Sequence, residues 1–176
     1  MAITINGNGT LSGVTAGLTA SSLPSGSILQ VVSATKTDEA STTSTTSTEI
    51  SSDLRVTLTP NSSSSKIFIT MSIYISQADS AQTLRLYRDI GGGGYNAIST
   101  SGSDAEDGTN SHWAGDGGAF MAVMNLSFLD SPNTTSAVIY TPYWRISGNT
   151  CYLNRGYGGS SSYNGTSTVT AMEVAG

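Results

Sequence analysis

The sequence predicts an all-β protein, an antiparallel β-sandwich of jelly-roll-like type behind an extended N-terminal arm. Three observations carry this reading. Apolar residues recur with period two in run after run, as they do in half-buried strands. Clusters of Gly, Ser, Asn and Pro separate these runs at short intervals, as turns do. No segment longer than one turn has the 3.6-residue apolar period of a helix. With 176 residues the chain is long enough for one domain with a real core.

The chain divides at about residue 27. Residues 1–27, which include "NGNGTLSGVTAGLTASSLPSGS", carry Gly and Ser every few positions and only isolated Leu or Val. Such a stretch cannot form its own core and reads as an extended arm that needs a partner surface. Residues 28–176 form the sandwich. "SILQVVSATK" is its first strand. "TTSTTSTEI", residues 42–50, is almost all hydroxyl side chains, but it has no Gly or Pro and Thr is β-branched. It therefore reads as an exposed strand of folded surface rather than a linker. "LRVTLTP" turns Leu54, Val56 and Leu58 inward, "PNSSSS" supplies a turn, and "KIFITMSIYIS" alternates strictly. Ile67, Ile69, Met71, Ile73 and Ile75 share one face of it, and the two runs are expected to pair as a hairpin.

Further strands follow. "QTLRLYRD" sets Leu84 and Leu86 against Arg85 and Tyr87. "GAFMAVMNLSFLD" has Phe120, Met124, Leu126 and Phe128 on one face and Met121, Val123 and Leu129 on the other, so it is expected to be central or buried on both sides. "TSAVIYTPYWRIS" turns Val138, Tyr140, Trp144 and Ile146 one way and Tyr143 and Arg145 the other. Its Pro142 suggests an edge or a bulge. "NTCYLNR" and "TSTVTAMEV" complete the set, and about eight to ten strands suit a jelly roll.

Composition narrows the function. Charged residues are 11% of the chain, against roughly a quarter in an average soluble protein, and the net charge is −5. That balance, with seven basic residues scattered singly, argues against nucleic acid. No apolar run approaches the ~20 residues of a membrane helix, and "MAITINGNGT" has neither the basic nor the apolar region of a signal peptide. The expectation is a soluble protein made in the cytoplasm, without nucleic-acid or membrane partners. The lone Cys151 rules out an intrachain disulfide and reads as a small buried hydrophobe.

The search for chemistry finds little. His112, the single histidine, lies beside Trp113 in the glycine-rich "DGTNSHWAGDGG" and reads as a plain loop histidine, with ligand contact the alternative. Asp104, Glu106, Asp107 and Asp116 could offer oxygens to calcium, but "DAEDGTN" lacks the order of a calcium loop. There is no G-x-S-x-G, and "GGGG" at 91–94 lacks the G-K-[ST] of a phosphate loop and reads as a loop tip. Glu173, a possible glycosidase carboxylate, sits in the last strand, where structure explains it. No catalytic residue, metal or cofactor is expected, and the chain is not expected to be an enzyme. The aromatic stretch "YWRISGNTCYLNRGYGGSSSYNGTST" is different, because rigid Tyr and Trp with Arg among small residues mark either recognition surfaces or subunit interfaces. The candidate partner or receptor contacts are Trp113, Tyr143, Trp144, Tyr157 and Tyr163.

Several stretches, in this order, resemble a module of tailed-bacteriophage virion surface proteins: "GSILQVVSATKTDEASTTSTTSTEI", "VTLTPNSSSSKIFITMSIYIS", "FLDSPNTTSAVIY", "YWR" and "STVTAMEV". The resemblance covers roughly residues 26–175. It implies a compact antiparallel sandwich on the virion surface, a homotrimer, and no catalytic residues. The absence of a repetitive stalk favours a capsid decoration (cement) protein that binds the major capsid protein or other virion subunits. The alternative is a tail fibre tip or head spike that recognises host-surface glycans.

Overall fold

The computed structural model describes residues 4–5, 11–12, 22–77, 80–98, 110–114, 120–156 and 164–176, with side chains from residue 22 onward except at 77, 110–114 and 120. Of the predicted arm, residues 22–27 and two short strands are described. These strands, β1 (Thr4–Ile5) and β2 (Leu11–Ser12), pair antiparallel. The sandwich contains β3 (Ile28–Lys36), β4 (Ala40–Thr42), β5 (Thr48–Glu49), β6 (Val56–Leu58), β7 (Lys66–Gln77) and β8 (Ser80–Ile90). It continues with β9 (Asn96–Ile98), β10 (Asn110–Ala114), β11 (Phe120–Asp130), β12 (Val138–Ile146), β13 (Cys151–Leu153) and β14 (Ser167–Val174). Ser52–Leu54 forms a short 3-10 turn ahead of β6.

Pairing reduces these strands to eight positions. β3 and β4 lie along β14 and β13, β5 and β6 both lie along β12, and β9 and β10 both lie along β8. β13 and β14 both lie along one side of β7, and β11 lies along the other. The front sheet is therefore β3/β4–β13/β14–β7–β11, and the back sheet is β5/β6–β12–β8–β9/β10. Counted along the chain, the first position pairs with the eighth, the second with the seventh, the third with the sixth and the fourth with the fifth. A long antiparallel hairpin rolled onto itself gives this pattern, so the protein is a jelly-roll β-sandwich, as the alternating runs predicted.

The inward residues meet where predicted. Ile67, Ile69, Met71, Ile73 and Ile75 are buried, as are Leu84, Leu86, Val138, Tyr140 and Ile146 from the back sheet. Burying each such side chain stabilises the fold by roughly 1.5–3 kcal/mol. A polar tie crosses the core edge: Tyr140 donates from its hydroxyl to Asp130 at 2.7 Å, and Arg88 donates to both oxygens of Asp130 at 2.8 Å. Asp130 belongs to the front sheet and the other two to the back sheet, so the cluster holds the layers together.

Four expectations need correction. β6 and β7 do not form a hairpin: β6 pairs with β12 in the back sheet and β7 lies in the front. Alternation reveals which face is buried but not which strand is the neighbour. The connection between them is fixed by buried Glu173, which accepts from the Asn61 backbone at 2.7 Å, the Asn61 side chain at 2.8 Å and Gln30 at 2.6 Å. β11 is an edge strand, and on its outer face Val123 is 41% and Leu129 50% exposed. β12 is central rather than an edge. Pro142 fits there because it faces the interruption between β5 and β6, where its carbonyl accepts from the Ile50 amide and no ladder bond needs its missing N–H. Finally, residues 42–50 are not one strand but the crossover from β4 in the front sheet to β5 in the back sheet. The crossover is folded all the same: Ser44 donates to the Thr46 carbonyl at 2.8 Å, and the Ile146 amide donates to the Ser44 carbonyl.

Candidate interaction surfaces

With the inner faces packed together, the outer faces of the two sheets remain for contact with other molecules. On the back sheet, β8 turns Arg85 and Tyr87 outward and β12 turns Tyr143 and Arg145 outward. Arg85 lies opposite Tyr143, so Tyr87 and Arg145 are the diagonal neighbours of that pair. The Tyr87 and Tyr143 rings stack, with centroids 3.8 Å apart and an 18° interplanar angle. Tyr95, carried by the tight turn after β8, tilts against Tyr143 at 6.1 Å. Gly91, Gly92 and Gly94 have positive φ in that turn, which is why the chain needs glycine there.

Electrostatics fix the rim of this face. Arg55 grips Glu49 through two bonds of 2.6 Å and lies 5.4 Å from the Tyr95 centroid, and Thr141 adds a hydroxyl bond to Glu49 at 2.8 Å. The Arg55 guanidinium holds the Glu49 carboxyl below its usual range, against the opposing effect of burial, with Thr141 helping. Beyond the stack, Arg145 donates from Nε to the Thr45 carbonyl at 3.0 Å. Thr45, Thr46, Ser47, Arg85, Tyr87 and Arg145 line a shallow depression of about 300 Å³. The basic residues are thus not all scattered: strand pairing brings Arg85 and Arg145 to diagonal positions on this face.

The front sheet has a different outer face. Val31 lies opposite Met172, Met172 opposite Phe68, and Phe68 opposite Leu129, so one apolar row crosses all four strand positions. The next two rows are Ser33–Thr170–Thr70–Ser127 and Thr35–Thr168–Ser72–Asn125, uncharged and rich in hydroxyls. Beyond them Tyr74 lies opposite Val123, with Gly165 packed so tightly on Tyr74 that a Cβ would sit 2.6 Å from the ring. Ile28 lies opposite Val174 past a bulge at the other end. The four large hydrophobics that are exposed among the described residues, Ile28, Val31, Val123 and Leu129, all belong to this face. No charged side chain stands in the apolar row or in the two hydroxyl rows.

The predicted contact residues scatter. Tyr143 lies in the aromatic stack on the back face. Trp144 is corrected: it is only 5% exposed and belongs to the core, because it shares the inward parity of Tyr140 and Ile146. Trp113 and His112 are on strand β10 rather than in a loop, with backbone positions opposite Ala81 and Gln82. Tyr157, Tyr163 and the acidic group Asp104, Glu106, Asp107 and Asp116 lie outside the described residues. The base of the segment that carries Tyr157 and Tyr163 is fixed by Arg155 bridging to Asn164 and by fully buried Asn154. Asn154 has a φ of 55°, a conformation Asn tolerates, and donates to the Lys36 carbonyl at 2.8 Å while accepting from Ser167 at 2.7 Å. Cys151 is buried as expected, and burial pushes its thiol up to about 12.

No protein-family model matches the chain, and no curated protein does. Among solved structures, the chain is similar to one from infectious bursal disease virus, Gt strain, at 11% identity and a TM-score of 0.46. It is also similar to one from the Gx strain, at 11% identity and a TM-score of 0.38. These alignments cover 86% and 85% of this chain but 39% and 43% of the viral chains, so the chain spans about two fifths of their length. Both neighbours come from infectious bursal disease virus rather than a tailed bacteriophage.

Proposed function

We propose that this chain is a non-enzymatic structural protein of a virion surface, a trimeric decoration protein that stabilises the head by covering capsid subunits. The observation that carries the proposal is the outer face of the front sheet, where an apolar row spans every strand position beside two uncharged, hydroxyl-rich rows. A face of that kind is stable in water but gains from being covered. In a trimer with cyclic symmetry each contact joins two different patches of neighbouring copies, so a single flat face does not meet itself. The four exposed large hydrophobics share this face, so the patch of a second copy that would meet it carries none of them. A capsid subunit is therefore the better occupant, and three such faces on one trimer would bind with avidity. The phage-module resemblance supplies the trimer and the virion location. Buried Glu173 and Asp130, together with Glu49, each hold loops or sheets together, which favours a structural role for them over a catalytic one.

A second reading, a receptor-binding tip or spike for host-surface glycans, is favoured by the arginine and tyrosine side chains of the back face. Antibody labelling of intact particles under the electron microscope separates the two. Label spread over the head is expected; label confined to the tail would reject decoration in favour of the receptor reading.

A further inference from the structure

We infer that two copies of the chain pair through the outer faces of their front sheets, about a twofold axis that runs along the strands between β14 and β7. This goes beyond the decoration reading and does not rest on it. Across the face the strand positions run β3, β14, β7, β11. A twofold axis along the strands keeps each row of residues at its own height and reverses the order of the strands. It therefore sets β3 over β11 of the second copy and β14 over its β7, and each contact occurs twice.

Every row then meets its own kind. In the apolar row Val31 falls over Leu129 of the second copy and Met172 over its Phe68. Met172 and Phe68 occupy the two central strands, where a thioether against an aromatic ring is a favourable contact. In the next row Ser33 falls over Ser127 and Thr170 over Thr70, and in the third Thr35 falls over Asn125 and Thr168 over Ser72. Some of these polar groups already bond within their own sheet: the Ser33 and Thr170 hydroxyls lie 2.9 Å apart, and Ser72 donates to Asn125 at 2.6 Å. Covering groups that keep such partners costs less than covering unsatisfied ones. Charge does not oppose the arrangement either. Lys66, at one end of the face, stands opposite Val174, so the axis sets it over Val174 of the second copy and not over its own equivalent.

The size of the face sets the strength of the pairing. Strand positions about 4.8 Å apart, and a length of about 27 Å from Lys66 to Tyr74, give roughly 500 Å² per copy. A pair buries about 1,000 Å² in total, at the low end of specific interfaces, where association is weak and reversible. Val31 and Leu129, 57% and 50% exposed in the single chain, lose the most water. The pair is therefore a form of the free, concentrated chain that covers the apolar row and reopens on dilution. A capsid subunit that binds the same face competes with it by mass action. In a trimer whose three front faces point the same way, the same axis joins two trimers.

Sedimentation equilibrium of the purified full chain, from about 1 µM to about 1 mM, reads the pairing as a doubling of mass, whatever the size of the unit that pairs. Doubling is expected with a midpoint of about 0.1 mM, shifting less than about threefold between about 0.1 and 1 M NaCl because the matched rows are uncharged. Val31→Lys and Leu129→Glu, both at exposed positions, should each weaken it about tenfold or more with an unchanged circular dichroism spectrum. Within one chain these positions lie on opposite edges of the sheet, but about this axis they face each other. Val31→Lys combined with Leu129→Glu should therefore recover the pairing and make it salt-sensitive. No doubling up to about 1 mM, doubling that neither single variant weakens, or a double variant as weak as the single ones would overturn the inference. Co-sedimentation with particles separates this from the decoration role. Particle binding by a chain that does not pair would reject the pairing and leave decoration standing, and pairing without particle binding would do the reverse.

Discussion

Tyr140→Phe removes one oxygen atom and nothing else, which makes the polar tie between the sheets open to measurement. In the folded chain the Tyr140 hydroxyl is fully buried and donates to Asp130 at 2.7 Å, while Arg88 donates to the same carboxylate at 2.8 Å. Burial of the ring, and then the bond to Asp130, pushes the Tyr140 phenol far above its ordinary range, so it remains a donor at any working pH. A buried hydrogen bond to a charged group contributes about 1.5–3 kcal/mol. Phenylalanine keeps the ring packing, so no cavity cost is added. For a domain of this size that corresponds to a fall in Tm of roughly 3–12 °C. Denaturant unfolding of the wild type, Tyr140→Phe, Asp130→Asn and the double variant closes a double-mutant cycle, with an expected coupling of about 1 kcal/mol or more. A loss below about 0.5 kcal/mol, or additive effects, would refute the assignment of Asp130 as the tie between the layers.

Glu173→Gln should destabilise the chain by about 1–3 kcal/mol, because the carboxylate organises Asn61 and Gln30. Burial pushes the Glu173 carboxyl up, but the bonds from Gln30 and Asn61 outweigh it and leave the group below its ordinary range. A depressed folded value means the stabilisation is present above the unfolded value of about 4.3 and disappears as pH falls through the folded one. The stability gap between wild type and Glu173→Gln should therefore close in acid, and a gap that stays constant in thermal melts down to about pH 2 would contradict this. Cys151 should resist a thiol reagent at pH 8 in the native protein and react fully in denaturant, since burial pushes the thiol up to about 12. Rapid native labelling would place it at the surface instead. Val31→Lys with Leu129→Lys should change the unfolding free energy by about 1 kcal/mol or less, because both side chains are exposed, while abolishing co-sedimentation with particles. Retained co-sedimentation would rule out the front face as the docking surface.

The sandwich was legible because burial leaves a period-two record in the sequence. Ile67 to Ile75, Leu84, Leu86 and the inward residues of β12 could all be assigned from parity alone. Partner choice left no such record, which is why "LRVTLTP" and "KIFITMSIYIS" looked like a hairpin although they belong to different sheets. The exposed side of β11 was misread for a related reason, since Val123 and Leu129 are apolar without being buried. The aromatic tail was half readable: Tyr143 has outward parity, and the same parity applied to Trp144 places it in the core. Both candidate surfaces depend on register. Arg85 and Arg145 are 60 positions apart and Val31 and Leu129 are 98 apart, so only the pairing of β8 with β12 and of β3, β14, β7 and β11 brings them together.

The most direct test of the decoration role is hydroxyl-radical footprinting of methionines on intact particles and on the isolated chain. Met172 stands in the apolar row of the front face, while Met71 is buried in the core and serves as an internal control. If the front face covers capsid subunits, oxidation of Met172 will fall severalfold on the particle while Met71 remains protected in both states. Equal oxidation of Met172 on and off the particle would show that this face looks into solvent, and the decoration account would be wrong.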